Sequence, residues 1–328
     1  MDSLANLNGK TVVVTGASGY IGSELVDALA KYTCKVIRVS RMDLMPLADT
    51  KTIKADVRNA DTWTEIVAQA DIIYHLAGNT SVYEAAKNPA ESLNSTLLPL
   101  NHLVKAAQKQ QSKPRVVFAS TATVYGLTPQ RPIAETVEPK PITVYDLHKL
   151  FAEQQLALAT QQGVLDSISL RLANVYGPSS SVSSSDDRGI LNRVTAMALQ
   201  GKDLTVYGDG NYLRDYVYID DVVSAFMIAG FRKDVGVGVF NVSTGKSINV
   251  GDAFKIVAMR TSIVTGSTVN IKYSPWPDGA SEIEFRNYIS DISSISVKLG
   301  WRPTITLVSG IDRMINKISE RIINDGSF

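Results

Sequence analysis

One cysteine, three histidines, almost no net charge and no long apolar run mark what this 328-residue sequence lacks. The single cysteine, Cys34, excludes an intrachain disulfide and any multi-cysteine metal site. His75, His102 and His148 are too scattered for a zinc site, so no metal is expected. The 33 Lys+Arg and 32 Asp+Glu leave a net charge of +1. That balance argues against broad electrostatic binding to nucleic acid or to an anionic membrane. No stretch approaches the roughly 18 apolar residues of a membrane span. The opening MDSLANLNGK lacks the basic and apolar regions of a signal peptide. A soluble, cytoplasmic globular protein is therefore expected. Hydrophobic residues, at 45%, supply ample core for about two domains or one large one.

The first 175 residues alternate short apolar runs with helical stretches. Segments 11–16, 35–40, 71–78, 115–120 and 167–173 are rich in Val and Ile and nearly continuous, as strands covered on both faces must be. Between them, 20–31, 61–69, 92–111 and 144–162 carry helical spacing. This alternation predicts a Rossmann-type, doubly wound parallel α/β sheet. After Gly177 comes a polar loop, 179–187, and then short strands (204–207, 214–219, 237–242, 268–273) among helices (189–200, 220–230, 249–260, 305–320). We expect a dinucleotide-binding domain over 1–177 with a return segment at 215–245. A smaller C-terminal α/β lobe would comprise 178–214 and 246–328.

Thr15-Gly16-Ala17-Ser18-Gly19-Tyr20-Ile21-Gly22 follows the first strand and opens a helix. Gly16 permits the tight turn, Gly19 lets a pyrophosphate approach the backbone, and Gly22 lets helix and strand pack closely. The free N–H groups and positive dipole end of the helix then face the anion. Residues 40 and 41 bear on the choice of nicotinamide cofactor. The acidic residue that usually accepts the ribose 2′-hydroxyl is replaced by Ser40, followed by Arg41. A hydroxyl beside a guanidinium suits a 2′-phosphate, so NADP(H) is expected ahead of NAD(H).

Tyr145 and Lys149 lie one helical turn apart, on the same face. A phenol is a poor base at neutral pH, and a neighbouring ammonium improves it. Such a pair can exchange a proton with a substrate hydroxyl while a nicotinamide exchanges hydride with the same carbon.

The Gly-x-x-Gly-x-x-Gly spacing resembles that of the short-chain dehydrogenase/reductase superfamily. The remaining motifs resemble its extended branch, which acts on nucleotide sugars. They are Asp56-Val57, His75-Leu76-Ala77-Gly78, 120–126 (STATVYG), Tyr145-x-x-x-Lys149, 170–178 (LRLANVYGP), Gly208-Asp209-Gly210 with 214–217 (RDYV), and Leu299-Gly300-Trp301. The likeness runs from about residue 10 to 303. It implies that Asp56 and Val57 flank the adenine and that Leu76, Ala77 and Gly78 line the cofactor's path. Thr121, with Ser120 as fallback, would hydrogen-bond the reacting oxygen. Asn174, Arg214 and Arg286 would contact the sugar or its diphosphate, and 179–193 would cover the base. Relatives that eliminate water carry Asp-Glu where this chain has Ala122-Thr123, which disfavours 4,6-dehydratase chemistry. The resemblance implies a nucleotide-diphosphate-sugar C4 epimerase. The alternative is an NADP(H)-dependent nucleotide-4-keto-6-deoxy-sugar 4-reductase, and a remoter one is a non-catalytic NADP(H)-sensing regulator. In relatives the helices matching 92–111 and 144–162 pair across a two-fold axis, so a homodimer is expected.

Overall fold

The computed structural model describes residues 8–179, 189–232, 235 and 237–324, so most of the expected loop at 179–187 lies outside the described residues. The strands are β1 (Thr11–Thr15), β2 (Lys35–Ser40), β3 (Thr50–Lys54), β4 (Ile72–His75), β5 (Arg115–Thr121), β6 (Asp166–Leu172), β7 (Asn174–Tyr176), β8 (Leu204–Tyr207), β9 (Leu213–Tyr218), β10 (Gly238–Val242), β11 (Ser247–Asn249) and β12 (Ile271–Ser274). The helices are α1 (Tyr20–Leu29), α2 (Ala60–Val67), α3 (Val82–Lys87), α4 (Pro89–Thr96), α5 (Leu98–Gln110), α6 (Val144–Gln161), α7 (Ile190–Leu199), α8 (Ile219–Phe231), α9 (Val250–Thr265), α10 (Ser293–Lys298) and α11 (Leu307–Asn324).

Seven strands form one parallel sheet in the order β10-β6-β5-β4-β1-β2-β3. Register explains the apolar runs. Val13 pairs with Ile37 and Ile73, and Ile73 pairs with Val116. This row faces Trp63, Ile66, Leu100, Leu103 and Leu156. The alternate residues Val12, Val14, Val36 and Ile72 face the opposite core, with Leu25, Leu29 and Phe226. Successive side chains on a strand point to opposite faces, so both sets must be apolar when helices cover both sides. The polypeptide returns to this sheet through α8 and β10, whereas β9 pairs with β7 and β11 in a separate three-stranded sheet. β8 and β12 form a two-stranded parallel pair.

Two expectations need correction. The helix expected over 92–111 is two helices, α4 and α5, meeting at Leu97. Pro99 has no N–H to donate to the carbonyl of residue 95, and its ring crowds that carbonyl, so one continuous helix is not available. β3 was not expected: of TKTIK only Ile53 is buried, because the strand lies at the sheet edge. Among the described residues no helix is long and apolar enough to cross a membrane. None of their His, Cys, Asp and Glu side chains form a group of three or more that could hold a metal ion.

Candidate active site

The carboxyl ends of β1, β4, β5 and β6 open on one cavity of about 1190 Å³. Ligands of open α/β sheets bind at this crest. All the candidate residues singled out above line it, from Gly16 through Tyr145 to Arg286.

At one end the glycine turn leads into α1. Gly16 has φ +70°, and a Cβ there would sit 2.8 Å from the backbone nitrogen of Ala77. A Cβ on Gly22 would collide with the Gly16 carbonyl. Gly19 caps α1 without a side chain, and the first turn of the helix holds no acid. The cradle therefore presents bare N–H groups and a positive dipole end to the cavity, and a pyrophosphate fits it. Ser18, Ile21, Leu76, Ala77 and Gly78 share this wall. Tyr20 does more than line it. Its hydroxyl donates to the Gly177 carbonyl at 2.6 Å and accepts from Asn192 at 3.0 Å, tying the turn to the lobe that follows.

At the end of β2 the Ser40 hydroxyl donates to Ser18 (3.0 Å) and accepts from the Met42 amide (3.0 Å). Arg41 is exposed. Asp56 is held by Arg58 Nε and Nη2, and these hydrogen bonds keep its carboxyl below the usual range. The Arg41 charge contributes in the same direction. Val57 turns its carbonyl to Trp63 Nε1 at 2.7 Å.

Midway along, Tyr145, Lys149 and Thr121 converge, each about 95% buried. Thr143 caps α6 by accepting from the Asp146 amide, and one turn later Lys149 Nζ donates to the Ala119 carbonyl at 2.9 Å. Lys149 Nζ lies 5.8 Å from the centre of the Tyr145 ring. Beneath it His75 is fully buried, with Nδ1 2.8 Å from Thr15 Oγ1. Burial chiefly, and the Lys149 charge secondarily, pull its pKa from 6.5 to about 3. Between those values the unfolded chain binds a proton that the folded protein refuses, so stability is complete above pH 6.5 and falls with acidification. The loss between pH 7 and 5 is expected to be about 2 kcal/mol. Urea titrations at the two pH values should show it, and His75→Asn should flatten the dependence; an unchanged dependence in that variant would contradict the assignment.

Ser120 has a protein partner of its own. Although it borders the cavity, its hydroxyl makes a short hydrogen bond to Glu153, which sits one turn beyond Lys149. Register pairs Ser120 with Arg171, and Arg171 Nη2 reaches Glu153 at 2.6 Å. Burial would strip the guanidinium of its proton, but the Glu153 carboxylate overrides it and raises the pKa. Ser120 thus borders the cavity and also donates to a buried ion pair. The sequence reading missed Glu153 and Arg171; the i, i+4 spacing of Lys149 and Glu153 was the available signal.

At the far end Arg214 is 94% buried and donates to the backbone carbonyls of Arg286 and Glu284. Arg286 Nη2 lies 3.2 Å from Asn174 Oδ1, and Asn174 Nδ2 donates to the Asp215 carbonyl at 3.0 Å. Burial, then the Arg286 charge, disfavour the charge on Arg214. An anion between the two guanidiniums would relieve both penalties. Tyr207, Tyr212 and Trp276 form an aromatic wall beyond them, with Phe285 packed on Tyr212 and Trp276, which was not foreseen.

Residues 12–251 match the NAD dependent epimerase/dehydratase family, and the chain belongs to it. A putative UDP-glucose 4-epimerase of Methanocaldococcus jannaschii is 27% identical over 93% of this chain and 97% of its own. UDP-glucuronic acid decarboxylase 1 of Arabidopsis thaliana is 28% identical over 96% and 71%. The solved UDP-glucose 4-epimerase of Thermus thermophilus in complex with NAD superposes with a TM-score of 0.81, at 26% identity, covering 94% of this chain and 99% of that one. The NADP(H) preference expected from Ser40 and Arg41 gains no support here. The Ser40 hydroxyl is already engaged on both sides, by Ser18 and the Met42 amide.

Proposed function

We propose that the protein is a nucleotide-diphosphate-sugar C4 epimerase acting on UDP-hexoses through a 4-keto sugar. The observation that carries this reading is the single cavity joining the glycine cradle, the Thr121–Tyr145–Lys149 group and the Arg214–Arg286 pair. NAD, when bound, would supply a hydride acceptor and donor for C4. Tyr145 takes the proton of the C4 hydroxyl and returns it. Lys149 favours the phenolate and holds the nicotinamide ribose. Thr121 shares a hydrogen bond with the reacting oxygen. Arg214, Arg286 and Asn174 grip the diphosphate while the keto sugar turns over. The large sheet would carry the cofactor and the smaller lobe the sugar nucleotide.

Incubation with a panel of UDP-sugars, without added reductant, tests the reading. An epimer should accumulate; carbon dioxide from UDP-glucuronate would mark a decarboxylase instead. Stoichiometric loss of added NADPH with a 4-keto sugar would mark a reductase.

The cofactor is inferred to be NAD(H). Calorimetry should give NAD(H) a Kd lower than that of NADP(H) by about 10-fold or more, and Arg41→Ala should leave the NAD(H) value nearly unchanged. The reverse order, with Arg41→Ala costing NADP(H) about 5- to 150-fold, would restore the NADP(H) expectation.

A homodimer through α4, α5 and α6 is also proposed. Leu103 is taken by the internal core, but Leu93, Leu147, Phe151 and Leu158 expose 38–54% of their surface on α4 and α6. Light scattering at micromolar concentration should give twice the chain mass, and a monomer would contradict the proposal.

A further inference from the structure

Tyr145 is seated by a residue that the proposed chemistry does not use. Its ring lies in an apolar cluster with Val82 and Ala85 of α3 and with Ile283. Ile283 is 1% exposed, borders the cavity, and comes from the 3₁₀ turn Glu282–Phe285 between β12 and α10. That turn is held by the two guanidiniums at the far end of the cavity. Arg286 Nη1 donates to the Ile283 carbonyl at 2.8 Å. Arg214 Nη2 donates to the Glu284 carbonyl at 2.6 Å, and Arg214 Nη1 makes a short hydrogen bond to the Arg286 carbonyl. Just beyond, the Tyr288 amide donates to the Leu213 carbonyl at 3.0 Å, and the Leu213 amide donates to Asn287 Oδ1 at 2.7 Å.

One short stretch of backbone therefore joins the arginines to the apolar wall beside Tyr145. A guanidinium carries more N–H donors than Arg214 spends on the carbonyls of Leu213, Glu284 and Arg286, so it can grip a diphosphate without releasing the turn. Proton exchange needs the phenol oxygen within hydrogen-bond reach of the C4 oxygen, and a misplacement of about 1 Å costs on the order of 10²-fold. We propose that Ile283 is a positioning residue, which seats the Tyr145 ring and makes that seating depend on the arginines that hold its turn. This proposal rests on the epimerase reading above.

Turnover of saturating UDP-galactose and the affinity of the holoenzyme for UDP, by calorimetry, test it together. Ile283→Ala opens space into which the ring can tilt. Turnover should fall by about 10- to 100-fold while the Kd of UDP stays nearly unchanged, because no polar group of the arginine grip is altered. Ile283→Val, which removes a single carbon and keeps the fold, should lie between, about 2- to 5-fold below wild type, again with an unchanged Kd. Arg286→Ala should weaken UDP and turnover together. Added to Ile283→Ala, it should weaken UDP by the same factor but lower turnover by less than about 2-fold more, since the seating is already lost. Additive losses of turnover in the double variant would overturn the link through the turn. If the wild type epimerises but turnover does not follow the order Ile, Val, Ala, or falls only in step with UDP affinity, the positioning role is overturned and the epimerase reading stands. If the wild type leaves UDP-glucose and UDP-galactose unchanged, the epimerase reading fails and takes the role of Ile283 with it.

Discussion

Tyr145→Phe is expected to lower turnover by about 10²- to 10⁴-fold while leaving fold and cofactor binding intact. The substitution removes one oxygen from a side chain only 6% exposed, so packing against Val82 and Ile283 survives. In the proposed mechanism, what disappears is the group that takes and returns the C4 hydroxyl proton, and general acid–base contributions have that size. Lys149→Ala should cost as much and also weaken cofactor binding, because it removes both the charge 5.8 Å from the phenol ring and the proposed ribose contact. Steady-state kinetics and NAD(H) titration of the two variants separate these effects. A Tyr145→Phe enzyme with near-normal turnover would refute the assignment and bring back the non-catalytic regulator.

Glu153→Ala is expected to destabilise the protein by about 3–5 kcal/mol. Its carboxylate is the partner of Arg171, itself 4% exposed, and it accepts from Ser120. Truncation leaves a buried guanidinium charge unanswered, with Nη1 of Arg171 already lacking a partner. The pair itself contributes little net stability, since two desolvated charges repay their burial only through good geometry. Replacing both residues by leucine should therefore cost far less than Glu153→Ala alone. Urea unfolding of the single and double variants measures the difference. Equal costs would mean that the Arg171 charge is not stranded by the single truncation.

Strands β1, β2, β4, β5 and β6 were legible because burial on both faces forces continuous Val and Ile runs. The glycine turn was legible because backbone approach admits no Cβ at Gly16 or Gly22. β3 was not, since an edge strand with one buried residue leaves no periodic signal. The charged network was illegible for a different reason. Asp146 and Glu153 read as the polar face of an amphipathic helix, and only the pairing of β5 with β6 brings Arg171 beneath that face. The same long-range register gives Ser120, on the cavity wall, a bond to Glu153 that its sequence position does not announce. Ser40 shows the converse limit: its hydroxyl is where the sequence puts it, at the end of β2, but Ser18 and the Met42 amide already engage it.

In the proposed mechanism hydride leaves C4 and returns to the same carbon without exchange. UDP-glucose carrying deuterium at C4, incubated with the enzyme in ordinary water, tests this most directly. Mass spectrometry and proton NMR of the recovered UDP-galactose should find the deuterium still at C4. Washout to solvent, or deuterium appearing in released reduced cofactor with no labelled epimer, would contradict it.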